Sequence, residues 1–208
     1  MAFLAFEGLD GSGKSTLIKN LELHLKQAGI SFITTREPGG TDLGEELRGI
    51  ILKDQDPAPC AKAELLLYEA IRAQHVEIKI KPNLDKGTWV ISDRFTASSI
   101  AFQAGGRKII QSEIEWLNNF ATSNLAPDIT VLLDISYEDS QKRMLNNNRD
   151  TKDRIEKECE SFHKGVRQSY LAQAENNPSW LVLDACKSED ELTSILFTSL
   201  IQRGYLNE

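Results

Sequence analysis

The chain has 208 residues, 40% of them hydrophobic, and a net charge of −7 from 24 basic and 31 acidic side chains. That length and apolar content suit one compact domain with a sizeable core and leave little room for a second. The acidic balance argues against an extended nucleic-acid surface, no apolar run approaches the roughly 18–20 residues of a membrane span, and Met1-Ala2-Phe3-Leu4 lacks a basic leader region, so a cytoplasmic protein is expected.

The first predicted element is an apolar strand, Ala2–Glu7. It runs into Gly8-Leu9-Asp10-Gly11-Ser12-Gly13-Lys14-Ser15, which fits the phosphate-loop pattern G-x-x-x-x-G-K-[ST], and then into an amphipathic helix, Ser15–Ala28. Glycines let consecutive N–H groups point at phosphate oxygens, and the helix adds the positive end of its dipole. The pattern assigns residues Gly8 and Asp10 through Thr16 to a nucleoside triphosphate, with Lys14 reaching the β- and γ-phosphates and Ser15 ligating Mg²⁺.

A second strand, Phe32–Thr35, leads into Arg36-Glu37-Pro38-Gly39-Gly40-Thr41 and a helix at Asp42–Leu52. Pro and Gly alone would make an ordinary tight turn, but an Arg-Glu pair at a strand end also suits a phosphate and metal-bound water. A third helix, Ala61–Lys81, follows Pro57 and Pro59. On it Tyr68 and Arg72 share a face and could stack on a base and bond its edge; on spacing alone, the pair reads as core packing plus a surface arginine.

The third strand, Thr88–Ser92, is followed by Asp93-Arg94. An acid there is where an NTPase supports Mg²⁺, though a surface ion pair would look the same. Next come a helix at Glu113–Ser123 with a capping pair Ser112/Glu115, a strand at Ile129–Asp134 and a helix at Glu138–Asn146. The polar stretch Asn146–Arg154 has no helical period and reads as a mobile loop. A helix at Ile155–Ala174, a fifth strand at Trp180–Asp184 and a helix at Glu189–Arg203 with a Ser188/Glu191 pair complete the chain. Cys60, Cys159, Cys186, His24, His75 and His163 lack metal-ligand spacing and read as packing or surface residues.

Strands alternating with helices indicate α/β layering around a mostly parallel sheet, in which ligands gather at the carboxyl ends of the strands. The loops after strands one, two, three and five carry Lys, Arg, Asp and Glu, enough for two phosphorylated ligands and a metal.

Taken in order, Phe6–Thr16, Arg36–Thr41 with Gly44, Glu45 and Arg48, Leu65–Tyr68 with Arg72–His75, Gly87–Val90, Asp93-Arg94-Phe95 with Ser98-Ser99 and Ala101–Gln103, Gly105-Gly106 and Asp153–Glu156 resemble the thymidylate kinase family over nearly the whole chain. The resemblance implies a P-loop NTPase fold of the nucleoside-monophosphate kinase type, three-layer α/β/α with a five-stranded parallel sheet. It implies transfer of the γ-phosphoryl group of ATP to dTMP with Mg²⁺, in a homodimer. By resemblance, Asp10 meets the sugar 3′-hydroxyl region, and Arg94 with Arg36 clamps the acceptor phosphate. Tyr68 stacks on thymine, Arg72, Ser99 and Gln103 read its edge beside Ser98, and Asp93 or Glu37 supports the metal through water.

The sequence also departs from the family pattern. Tyr68 stands where Phe is common, Ile71 where an acid is common, and Phe95 and Phe102 where Tyr is common; Phe102 bears on the sugar contact. Gly11 replaces an arginine found in one class of these kinases, while Arg149 and Arg154 lie in a lid at about 143–156. That resembles the bacterial arrangement of the family, which implies a catalytic guanidinium delivered by the lid. A kinase for another small acceptor, an inactive nucleotide switch and an NTP-driven nucleic-acid motor are the rival readings; the last is disfavoured by length and acidity.

Overall fold

In the computed structural model, which describes residues 1–146 and 152–207, strand β1 (Phe3–Glu7) is buried at every position. It is the middle strand of a five-stranded sheet ordered β2-β3-β1-β4-β5, with β2 at Phe32–Arg36, β3 at Trp89–Asp93, β4 at Ile129–Asp134 and β5 at Trp180–Asp184. Every pairing is parallel. A strand with neighbours on both edges and helices on both faces has no wet side, which is why Phe3-Leu4-Ala5-Phe6 is apolar throughout rather than alternating. Its side chains still divide by period 2. Leu4 and Phe6 join Leu17, Leu21 and Leu25 of α1 (Lys14–Gln27) and Leu192, Leu196 and Leu200 of α9 (Glu189–Gln202). Phe3 and Ala5 pack with Val76, Ile80, Val90 and Phe95.

The other helices are α2 (Asp42–Leu52), α3 (Ala61–His75), α4 (Lys81–Leu84), α5 (Thr96–Ser99), α6 (Gln111–Thr122), α7 (Tyr137–Asn146) and α8 (Glu160–Ala174). Among the described residues two π-helical stretches interrupt them. Val76–Ile80 joins α3 to α4, where Pro82 has no N–H to give the preceding turn, and Ile100–Gly106 continues α5. The whole segment 96–106 is helical where the sequence suggested no element, because short turns ending in Gly105-Gly106 carry no 3.6-residue signal.

Capping follows the sequence at one of the two expected boxes. Ser188 and Glu191 form a reciprocal box at α9. Ser112 and Glu115 do not: α6 starts at Gln111 after Ile110, and the Gln111 amide donates to Glu115 at 2.7 Å. The helix expected from Ile155 begins only at Glu160, because Asp153 Oδ1 accepts from the N–H groups of Ile155 and Glu156 while Glu156 accepts from Asp153 N, closing a separate turn.

Candidate active site

The connections from β1 and from β3 leave toward opposite sides of the sheet, so the carboxyl ends of these two strands open a crevice between them. The cleft there has a volume of about 760 Å³. At one end the phosphate loop turns through Gly8, Gly11 and Gly13, all at positive φ. A Cβ on Gly8 would lie 2.5 Å from the carbonyl oxygen of Leu133 on β4, so only glycine lets the loop pass this close to the neighbouring strand. Gly13 caps α1, whose N-terminus faces the cleft through Lys14, Ser15 and Thr16. Lys14 folds over the loop and donates to the carbonyl oxygens of Gly8 and Leu9 at 3.1 and 3.2 Å. Its burial, reinforced by Arg94, pulls the ammonium pKa below the ordinary value. Arg143 of α7 also lines the cleft and braces the loop, donating to Ala185 O at 2.7 Å and Ser12 O at 3.5 Å. Ala185 is the contribution of the loop after β5; Cys186 is exposed and does not line the cleft.

Arg94 occupies the middle of the cleft. Its backbone is left-handed, with φ at 74°, tied by its own N–H to Phe6 O and by its carbonyl oxygen to Ser92 Oγ. The guanidinium donates to Asp10 at 2.9 Å, Tyr170 Oη at 3.1 Å and Ser98 Oγ at 3.4 Å, and lies 5.1 Å from the centre of the Phe102 ring. Burial opposes its charge, but Asp10 and the neighbouring acids outweigh this and raise its pKa. Beneath it, Glu7 accepts from Phe95 N, Ser98 Oγ and Tyr170 Oη at 2.8, 2.7 and 2.8 Å, and burial, opposed by Arg94, pushes its carboxyl up. Asp93 ends β3 with Oδ1 buried and without a hydrogen-bond partner among the described residues.

At the far end stand Tyr68, Arg72, Ser99, Phe102 and Gln103, with Arg36, Glu37 and Arg48 along one wall. Arg72 is no surface residue: it is 1% exposed, and its donors reach Glu37, Glu69, Ser99, Asn118 and Phe95 O. Glu37 also accepts from His75 Nδ1, whose other ring nitrogen meets Thr35 Oγ1, so His75 is a buried strut. Arg36 is half exposed and pairs with Glu45. Burial raises the Tyr68 phenol pKa and keeps it protonated.

The cleft thus gathers Asp10, Gly11, Gly13, Lys14, Ser15, Thr16, Arg36, Glu37, Tyr68, Arg72, Asp93, Arg94, Ser98, Ser99, Phe102 and Gln103, all singled out in the sequence, while Gly8 and Ser12 are buried in the loop itself. Arg154 is not on the cleft wall but is tied to Glu64 and Ile51 O. Arg149 lies outside the described residues, as does the middle of the expected lid. Sequence reasoning missed Tyr170 and the buried acids Glu7, Glu64 and Glu69. Tyr170 sits on the buried face of α8 with Phe162 and Val166, a helical spacing that signals core and says nothing of the hydroxyl at its tip.

The profile of the family described as thymidylate kinase matches residues 6–195. The chain belongs to that family. A thymidylate kinase from Bdellovibrio bacteriovorus is 51% identical to it over 99% of this chain and 98% of its own length. Thymidylate kinases from Fervidobacterium nodosum, at 42% identity over 91% and 93%, and Prochlorococcus marinus, at 44% over 96% and 92%, align almost as fully. Every element of the cleft therefore lies within the shared thymidylate kinase region.

Proposed function

We infer that the chain transfers the γ-phosphoryl group of ATP to thymidine monophosphate, giving thymidine diphosphate, with the two nucleotides held at opposite ends of the cleft. The observation that carries this reading is that one continuous cleft joins the phosphate loop to Tyr68, Arg72, Phe102 and Gln103. One end suits a triphosphate, the other a flat base with a polar edge. The loop amides and Lys14 grip ATP. Arg94, with Arg36 on the rim, clamps the acceptor phosphate, Asp10 faces the sugar, Tyr68 stacks on the base, and Arg72, Ser99 and Gln103 read its edge. An anionic acceptor oxygen attacks the γ-phosphorus as the bond to the β–γ bridging oxygen breaks and ADP leaves. No general base is needed, so catalysis comes from alignment and charge neutralisation.

The residues present fit Mg²⁺. Ser15 and Asp93 line the same cleft, and a buried carboxylate oxygen with no partner among the described residues is costly unless a cation or its water completes it. Mg²⁺ keeps most of its ligands as phosphate oxygens and water, so one hydroxyl and one carboxylate suffice from the protein. Bound with ATP, Mg²⁺ would neutralise charge on the β- and γ-phosphate oxygens. Glu37, whose oxygens already accept from Arg72 and His75, is better placed to anchor Arg72 than to hold metal-bound water.

Arg149 is our choice for the guanidinium that meets transition-state charge, with Arg154 as the anchor of the same segment. The homodimer is assigned to α6, where Trp116 and Phe120 stack at 5.8 Å while 65% and 74% exposed; a monomer in sedimentation would remove this part. The location assigned is cytoplasmic, which the exposed, unpaired cysteines suit.

A coupled ADP-release assay over a panel of nucleoside monophosphates tests the whole. Thymidine monophosphate should exceed its uridine analogue by roughly 10–200-fold in kcat/KM, the worth of one buried methyl. Equal efficiency on deoxycytidine monophosphate would refute the base contacts, and a different preferred acceptor would refute the assignment.

A further inference from the structure

Behind the base end of the cleft lies a carboxylate that the mechanism above does not use. Glu64 of α3 is 1% exposed. It accepts from Gln103 Nε2 at 3.1 Å, from Arg107 Nε and Nη2, each at 3.1 Å, and from Arg154 Nη2 at 2.6 Å. Burial pushes its carboxyl up, but the hydrogen bonds from the two guanidiniums outweigh this and hold it below the ordinary value, so it is ionised at neutral pH. Arg107 is itself fixed, lying over the Phe162 ring at 4.7 Å and pairing with Glu158.

An ionised carboxylate only accepts hydrogen bonds. The Gln103 side chain must therefore turn its nitrogen toward Glu64, an orientation dictated by the partner's chemistry rather than by the near-identical shapes of the two amide arms. The carbonyl Oε1 is left for the cleft that Gln103 lines. Arg72, on the same stretch of wall, can only donate. Donor and acceptor together complement a base edge with a carbonyl oxygen beside a ring N–H, as in thymine. Cytosine reverses both, presenting an exocyclic amine and a ring nitrogen without hydrogen.

We propose that Glu64 is a specificity-determining positioning residue: by holding the Gln103 amide nitrogen it leaves an oxygen facing the base, and so sets the preference for thymine over cytosine. The proposal rests on the reading of Gln103 as a base-edge contact.

The test compares thymidine monophosphate with 5-methyldeoxycytidine monophosphate, which share the methyl group and differ at the edge, in the wild type, Glu64→Gln, Glu64→Asp, Gln103→Leu and the Glu64→Gln/Gln103→Leu double variant. A glutamine at 64 can accept or donate, which frees the Gln103 amide to turn. Glu64→Gln should lower the ratio of the two kcat/KM values at least about tenfold. Aspartate still only accepts, so Glu64→Asp should keep the ratio within about threefold, whatever it does to overall rate. In the Gln103→Leu background, Glu64→Gln should change the ratio no further. A wild-type ratio in Glu64→Gln, or an equal fall in both backgrounds, overturns the proposal. If Gln103→Leu alone leaves the ratio intact, the base-edge reading of Gln103 fails and the proposal with it. Should Glu64→Gln not fold, glutamine side-chain ¹⁵N spectra of the wild type decide the matter. The Gln103 NH₂ signals should barely move on saturation with thymidine monophosphate, and a large shift, showing the nitrogen turned to the ligand, overturns the proposal.

Discussion

Arg154 is held on two sides, by Ile51 O at 3.0 Å and Glu64 at 2.6 Å, and a guanidinium so engaged is built to anchor rather than to swing. Arg154→Ala should therefore act on stability, costing about 2 kcal/mol for a lost charge-assisted contact, since Glu64 keeps Arg107. Arg149→Ala should lower kcat by about 10³-fold with little change in acceptor KM, the signature of a group acting on transition-state charge. Thermal unfolding and steady-state kinetics on both variants check this; a large kcat loss in Arg154→Ala at an unchanged melting temperature would exchange the roles. Phe102 invites a second prediction. Its ring meets Phe162 and Tyr170 edge-on and carries the Arg94 guanidinium on its face. Bulk at this position can exclude a 2′-hydroxyl without a phenol. Phe102→Tyr should leave the preference for deoxy over ribo acceptors nearly intact, whereas Phe102→Ala should lower that ratio and also raise acceptor KM by releasing Arg94. Kinetics with both sugars on the two variants would show it, and an unchanged ratio in Phe102→Ala would make the ring ordinary core.

Among the elements, the packing of α8 against the π-helical stretch Ile100–Gly106 matters most to the site, because that stretch carries Phe102 and Gln103. The two backbones meet at paired glycines: a Cβ on Gly165 would stand 2.5 Å from Gly105 O, and one on Gly105 would stand 2.6 Å from Gly165 O. Gly165 is inside a helix, where alanine is ordinarily favoured by up to about 1 kcal/mol. Here the contact should win. Gly165→Ala should force the elements apart and destabilise by about 1–3 kcal/mol, as overpacking does, while raising acceptor KM through displaced Phe102 and Gln103. Calorimetry together with acceptor titration measures both effects, and a stabilised variant with normal KM would show that the contact yields. This junction could not be read along the chain. The sequence assigned no element to Gly105-Gly106, and only the partner glycine, 60 positions away on a helix that gave its own separate signal, shows why the backbone needs no side chain there.

For the molecule as a whole, the Glu64 cluster joins α2 through Ile51 O, α3, the π-helical stretch through Gln103 and Arg107, and the turn at Arg154. Because the folded-state pKa of Glu64 lies below its ordinary value of 4.5, its contribution to stability is fully present above that pH and is lost as pH falls through the lowered folded value. Glu7 acts in the opposite sense: burial raises its pKa, so the folded state holds that proton more tightly and gains stability as the medium turns acid. The melting temperature should fall below about pH 4.5 in the wild type, and Glu64→Gln should start lower at pH 7 yet decline less steeply. Parallel acid limbs for the two proteins would show that the cluster is not what acid disrupts.

Local patterns carried the architecture and the ATP end of the site. The strand β1, the phosphate loop and the start of α1 are contiguous, so glycine spacing and apolar runs suffice to place Lys14 and Ser15, and the order of the five strand signals indicates a parallel sheet. The acceptor end depends on residues far apart in the chain. Arg72 looked like a surface arginine on its helix because Glu37, Ser99 and Asn118, the groups that let a charge be buried, come from a strand end and two other helical segments. Tyr170 and Glu64 follow the same logic: helical periodicity can say that a side chain faces inward, but which donor or acceptor it meets there, and hence which ligand atom its neighbour is left to recognise, is decided only when the elements pack.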